Sequence, residues 1–285
     1  MIKNYLCLSL ALILSMLYSC KDEPVGIILT TSSDVLNLNP INGSQSLSIT
    51  SNSAWTVSSP VKWFTLSDST GTGNKSIVFL CQDNLSGKPR EATISIQAGN
   101  QSKSMIVRQD GGKILIEESF NDNSMNWIIL NSDSLSENIN NGVYIVKNTS
   151  RQNAYFVGTR SIITNYTGNY MITSKYNTVS GSQPFGLVFG FKDNLNFYRL
   201  LIYPWGAYTI TKRLNGTNIS VLTGSVVFSK SNTIGLVKIG KNCDIYINDS
   251  KINNFDLSTP FGAYVGFYSC PQTEINIDYL KVVQF

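Results

Sequence analysis

The sequence predicts an all-β protein built in two parts, and three observations carry that reading. No stretch repeats apolar residues at helical spacing. Short runs of β-branched and aromatic residues alternate with clusters of Asn, Gly, Ser and Asp along the chain. At Asp110-Gly111-Gly112 the strand pattern breaks before Ile114 to Glu117 begins a new one. The 285 residues exceed what one small sandwich uses and suit two domains of different size. The expected domains are 27–110 and 113–285, joined by a linker short enough to restrict their relative orientation.

The first nineteen residues read as an export signal. Lys3 precedes an apolar run from Tyr5 to Tyr18, followed by the small residues Ser19 and Cys20. The run is too short for a membrane-spanning helix. Leu17-Tyr18-Ser19-Cys20 resembles a bacterial lipobox, which implies that Cys20 is the lipidated first residue of the mature chain and that residues 20–26 form a tether. Lys21-Asp22-Glu23 resembles the charged signal that sends lipoproteins of the Bacteroidetes to the outer cell surface. The implied location is the outer membrane, lipid-anchored and facing outward, where polymers and glycans are met.

Composition excludes several functions. With 22 Lys and Arg against 18 Asp and Glu, a net charge of +4 and 14% charged residues, the chain has no basic stripe for a phosphate backbone, so no nucleic-acid partner is expected. It contains no histidine. That removes the usual general base, every Ser-His-Asp or Cys-His relay, and the commonest ligand for zinc, copper and iron. Of five cysteines, Cys7 leaves with the signal and Cys20 carries lipid. Cys81 follows the strand-like run Ile77 to Leu80 and reads as a small buried residue. A disulfide between Cys243 and Cys270 is chemically permitted in an exported protein.

In the first domain the turns are most informative. Ser51 to Val57 places Trp55 in an alternating strand, and Trp63-Phe64 follows the Ser59-Pro60 turn. Gly71 to Asn74 feeds a further strand, Arg90 to Ile94 starts another, and Val107-Arg108-Gln109 closes the series. This order resembles the Bacteroidetes-associated carbohydrate-binding often-N-terminal (BACON) module, and the resemblance implies an immunoglobulin-like β-sandwich. Trp55 alternates as a core residue does. Trp63 and its neighbour Phe64 should point to opposite sides, and if Phe64 faces inward Trp63 is a candidate sugar platform. The alternative is a spacer domain.

The second domain is denser in aromatics. Phe120 to Asn123 with Trp127 opens it, Phe185 to Arg199 marks its middle, and Gly240 to Asp249, Gly262 to Tyr268 and Ile275 to Val282 close it. The series resembles the concanavalin-like lectin/glucanase jelly roll, including laminin-G-like modules and the 3-keto-disaccharide hydrolase-like domain. Asn215-Gly216 marks a hairpin turn that favours positive φ, and the run from Asp244 to Ile252 makes a second hairpin. In the strand from Asn196 to Tyr203, alternation puts Tyr198, Leu200 and Ile202 on one side and Phe197, Arg199, Leu201 and Tyr203 on the other. Neither side is simply polar, as befits a strand lining a groove. Phe197, Arg199 and Tyr203, continued by Trp205, could stack a pyranose and bond its hydroxyls, or else complete a core.

Catalysis on glycosides needs two carboxyl groups about 5 to 9.5 Å apart. The second domain has carboxylates, yet no compact ExDxxE strand signature of jelly-roll glucanases. Glu118, Asp122 and Asp278, from the first and last strand regions, could meet and hold a structural calcium through oxygen ligands. The expectation is a surface-anchored, non-catalytic glycan-binding lipoprotein whose partners are saccharide and, through Cys20, membrane. A glycoside hydrolase and a protein-binding adhesion component are the alternatives.

Overall fold

The structure, a computed structural model, describes residues 26–151, 155–161, 168–257 and 261–285. Cys20, the signal segment and nearly all of the tether lie outside them. The fold is all-β, as expected: an immunoglobulin-like sandwich followed by a jelly roll. By contacts the described residues divide into two compact units. One takes residues up to Asn37 with Ser44–Cys81 and Glu91–Val107, and the other takes Leu38–Gly43, Gln82–Arg90 and Arg108–Phe285.

Nine strands precede residue 110: β1 (Leu29–Thr31), β2 (Val35–Leu38), β3 (Ser44–Ser51), β4 (Ala54–Ser58), β5 (Phe64–Leu66), β6 (Thr70–Thr72), β7 (Lys75–Cys81), β8 (Arg90–Ala98) and β9 (Gln101–Gln109). They form one sheet in the order β1-β3-β7-β5 and another in the order β2-β9-β8-β4-β6. Strict alternation buries one face of each. Leu47 and Ile49 of β3 and Ile77 and Phe79 of β7 point inward from the first sheet, and Trp55, Ile94, Ile96 and Val107 from the second. Each such side chain contributes about 1.5–3 kcal/mol by leaving water. Trp55 is 1% exposed and donates from Nε1 to the Gly73 carbonyl at 2.9 Å. Gly71 lies flat on its indole, where a Cβ would come within 2.3 Å of Cζ2. Cys81 shares the Ile77 and Phe79 face by alternation, but it ends β7 opposite Phe64 and is half-buried, not buried, at the strand's last position.

Fifteen strands follow: β10 (Lys113–Glu118), β11 (Leu130–Asn131), β12 (Leu135–Asn140), β13 (Val143–Asn148), β14 (Tyr155–Ser161), β15 (Tyr170–Ser180), β16 (Phe185–Asp193), β17 (Asn196–Tyr203), β18 (Ala207–Leu214), β19 (Thr217–Ser225), β20 (Ser231–Ile239), β21 (Asn242–Ile247), β22 (Ser250–Asp256), β23 (Tyr264–Ser269) and β24 (Thr273–Gln284). A nine-stranded sheet runs β11-β12-β13-β24-β15-β20-β21-β22 with β10 also on β24, and a six-stranded sheet runs β14-β23-β16-β17-β18-β19. The first and last strands pair, Glu118 opposite Leu280. One core joins the two sheets, taking Ile172, Leu236 and Ile277 from the larger and Leu187, Leu200 and Phe267 from the smaller.

The hairpins follow their turn residues. Asn215 and Gly216 have φ of 49° and 83° between β18 and β19, and Asn248 and Asp249 have 49° and 63° between β21 and β22. Two successive positive φ values fit a two-residue turn whose twist matches the strands. Cys243 and Cys270 are free thiols. The permitted Cys243–Cys270 bridge does not form: Cys243 sits in the main core, while Cys270 belongs to a separate cluster. Among the described residues no helix is long and apolar enough to cross a membrane.

Candidate functional site

The two faces of β17 divide as alternation requires. Tyr198, Leu200 and Ile202 enter the main core. Phe197 and Leu201 join Val188, Tyr268 and Cys270 in a second cluster, with Tyr203 packed against it. Arg199 lies between Phe197 and Leu201 on this second face. Its Nε donates to Thr211 Oγ1 at 2.8 Å, and its Cζ stands 4.8 Å from the centre of the Tyr268 ring. Burial raises the Tyr268 hydroxyl pKa, a shift that Arg199 opposes. Burial also pushes the Cys270 thiol up to about 11, so at neutral pH it is an unreactive thiol.

Beyond Tyr203 the chain turns through Pro204-Trp205-Gly206. Gly206 N donates to the Tyr203 carbonyl at 2.9 Å, and Val226 N donates to the Gly206 carbonyl at 2.8 Å. Gly206 has φ of 99°, a conformation natural to glycine, and a Cβ there would meet the Val226 oxygen at 3.0 Å. These bonds hold the segment after β19 beside the turn and force Trp205 outward. Trp205 is 65% exposed, and its ring centre lies 4.7 Å from that of Tyr203. An open cleft of about 510 Å³ is lined by Pro204, Trp205, Gly206 and the run from Ser225 to Phe228. Pro204 and Phe228 also line a neighbouring cleft of about 340 Å³ with Ser180, Lys230 and Asn232.

Asn232 is 2% exposed and fixes the wall of that second cleft. Its Oδ1 accepts from Ser229 N at 3.0 Å and from Asn248 Nδ2 at 3.1 Å, and its Nδ2 donates to the Ser229 carbonyl at 2.7 Å. Among the described residues neither cleft is lined by Asp or Glu. The arrangement offers an aromatic plate, apolar walls and a few hydroxyl, amide and ammonium groups. Such a surface holds a ring with one apolar face and polar edges.

The expected site residues fare differently. Arg199 and Tyr203 share one face of β17 with Leu201 between them, and Trp205 packs against Tyr203. Phe197 shares their face but is 5% exposed and packs with Phe191, leaving little of its ring to a ligand. In the first unit Phe64 is the inward neighbour, 5% exposed and 5.4 Å from the Phe79 ring. Trp63 sits half-buried and edge-on to Phe64 at 4.8 Å. A cleft of about 500 Å³ in that unit is lined by Thr56, Thr70, Thr72 and Gln97 around Gly71, away from Trp63.

Glu118, Asp122 and Asp278 have separate partners. Glu118 accepts from Phe120 N at 2.7 Å and Trp127 Nε1 at 2.8 Å. Asp122 caps Ser124 N at 2.8 Å, and the Ser124 bonds lower its carboxyl pKa. Asp278 pairs with Lys175 at 2.8 Å and accepts from Asn177 at 2.6 Å. Among the described residues no group of three His, Cys, Asp or Glu could hold a metal ion.

Sequence reasoning missed Val226, Val227, Phe228 and Tyr268. Val227 is 90% exposed in a segment without strand periodicity, and Tyr268 reaches the site only through the β16–β23 pairing. Neither fact has a local signature.

Residues 53–110 match the BACON family model, a candidate N-terminal binding domain. No curated protein matches the chain. Among solved structures, similarity extends to a Bacteroides ovatus GH5 xyloglucanase in complex with a XXXG heptasaccharide, at 21% identity over 30% of this chain and 19% of that one, TM-score 0.28. The GH43 BlXynB protein from Bacillus licheniformis is 11% identical over 68% of this chain and 51% of its own, TM-score 0.47. The carbohydrate binding module CBM66 from Bacillus subtilis is 13% identical over 61% and 91%, TM-score 0.31. The chain thus spans about half or less of the first two proteins.

Proposed function

We propose that this protein binds glycan without cleaving it, through the clefts beside Trp205, and that lipid on Cys20 holds it at the outer membrane with the first unit as a stalk. One observation carries the binding reading: Trp205, 65% exposed, forms a wall of an open cleft with Tyr203 tilted against it. Leaving a tryptophan in water forgoes about 1.5–3 kcal/mol of burial, and a ligand face that covers it recovers part of that. Among the described residues the clefts are lined by no Asp or Glu, which favours binding over hydrolysis, a reaction that needs a carboxyl pair. The BACON match over 53–110 agrees with a binding role.

The test is titration of the full protein in detergent with a panel of oligosaccharides, read by acrylamide quenching of tryptophan. Trp55 and Trp127 are buried and Trp63 half-buried, so Trp205 gives the largest share of the quenchable signal. A bound saccharide is expected to shield it. A panel in which no glycan alters quenching would sink the reading. For the anchor, Cys20→Ser is expected to release the protein in soluble form, and continued tight membrane association would refute it.

A further inference from the structure

Arg199 and Arg213 put two guanidinium groups on one face of the six-stranded sheet, and among the described residues no carboxylate pairs with them. Arg213 stands opposite Phe197 and Thr211 opposite Arg199, so the arginines are diagonal cross-strand neighbours, about 7 to 8 Å apart at their roots. Among the described residues neither forms an ion pair. Like charges at this spacing repel, and more strongly at a half-buried surface than in water. Arg199 is held in place by Thr211 and the Tyr268 ring.

Two polar atoms on the same face are buried with no hydrogen-bond partner among the described residues: Arg213 Nε and Thr209 Oγ1. Thr209, Thr211 and Arg213 are alternate residues of β18 and therefore share a side. Buried polar groups are nearly always paired, because leaving one unpaired is costly. Unneutralised cations, an orphan guanidinium nitrogen and an orphan hydroxyl on one face describe a receptor for a planar anion, which arginine binds through paired N–H groups. Tyr203 continues this face along β17, about 13 Å from Arg199 at strand rise, and leads to Trp205.

We infer that the saccharide is acidic: the β17–β18 face takes the carboxylate of a uronic acid unit through Arg199 and Arg213, while another ring of the same oligosaccharide lies on Trp205. This inference rests on the glycan-binding reading and narrows it to one class of sugar. A neutral glycan would leave both charges and both orphan atoms as they stand.

The experiment compares an α-linked galacturonate trisaccharide with its neutral galactose counterpart by calorimetry on the full protein in detergent. The acidic sugar is expected to bind at least about tenfold tighter, a difference of about 1.4 kcal/mol. The advantage should shrink as ionic strength rises from about 0.01 M to 0.15 M, where screening shortens from about 30 Å to about 8 Å. Arg213→Gln should bring the acidic sugar down to the affinity of the neutral one, and Arg213→Lys should restore part of the difference. Equal affinities overturn the inference and leave the glycan reading intact, whereas binding of neither sugar counts against both. An acidic preference that survives Arg213→Gln in a normally melting variant also overturns it. Should that variant fail to fold, the acid-to-neutral comparison and its salt dependence decide on the unmodified protein.

Discussion

The indole Nε1 of Trp127 donates to one carboxylate oxygen of Glu118 at 2.8 Å while the backbone N of Phe120 donates to the other at 2.7 Å. Phe120, at φ of 53°, lets the chain turn so that its ring meets Trp127, Tyr144 and Phe267. Glu118 is thus the acceptor that makes a buried indole N–H tolerable. Removing it leaves two buried donors unmatched, each worth about 1–3 kcal/mol. Glu118→Ala should therefore lose about 3 kcal/mol in urea denaturation followed by tryptophan fluorescence. Glu118→Gln should lose less, because its amide oxygen still accepts one bond. An unchanged midpoint for the alanine variant would contradict this account.

Glu137 and Tyr144 make a second buried pair, and its protons are worth counting. Tyr144 has one hydroxyl hydrogen but faces both Glu137 Oε2 at 2.6 Å and the Ile128 carbonyl at 2.9 Å. A protonated Glu137 resolves the conflict, donating to Tyr144 while Tyr144 donates to Ile128. Burial raises the Glu137 pKa above its ordinary value of 4.5, with the Tyr144 hydrogen bond opposing. The folded state thus binds this proton more tightly than the unfolded one does. Its stabilising contribution is full below pH 4.5 and is lost as pH rises through the raised folded value. Glu137→Gln should flatten that decline and equal or exceed the parent at neutral pH by about 1 kcal/mol. Melts across the acid-to-neutral range measure it, and a decline of the same size in the variant would rule the assignment out.

Gln109, fully buried, gathers three backbone carbonyls. Its Nε2 lies 3.0 Å from Asn39 O, 3.2 Å from Pro40 O and 3.0 Å from Gln82 O, and its Oε1 accepts from Arg90 Nε at 2.9 Å. Arg90 reaches the same Gln82 carbonyl at 2.7 Å. Gln109→Ala would strip donors from carbonyls shut away from water, at about 2–4 kcal/mol. Denaturation should show that loss. A variant as stable as the parent would mean that water fills the gap at no cost.

Legibility follows how local the deciding interaction is. Trp55, Val57 and the two faces of β17 are readable because alternation is a property of a single strand. Asn215-Gly216 is readable because a two-residue turn needs positive φ and little else. Trp63 and Phe64 could be ordered only once Phe79 was known to lie against Phe64. Phe197 reads correctly as a face-mate of Arg199, but its burial depends on Val188 from β16 and Tyr268 from β23. Glu118 carries oxygen ligands suited to calcium, and only the fold reveals that Trp127 and Phe120 occupy both oxygens. The partner of Trp205 across the cleft, Val227, sits in irregular chain where no periodicity speaks.

Trp205 makes the sharpest test of binding, because exposure separates its two possible roles. A core tryptophan replaced by alanine loses about 3–5 kcal/mol of stability. Trp205, with 65% of its surface in water and contact mainly along Tyr203 and the clefts, should lose far less. In a complex, however, the ring would be covered on its free face, and truncating such an aromatic costs about 1–3 kcal/mol of affinity. Trp205→Ala should therefore weaken saccharide binding roughly tenfold while the melting temperature stays nearly constant. Calorimetry and thermal melts on the same preparation provide both readings. A collapse in stability would make Trp205 a packing residue, and unchanged affinity would move the site elsewhere, with Trp63 on the first unit the next position to replace.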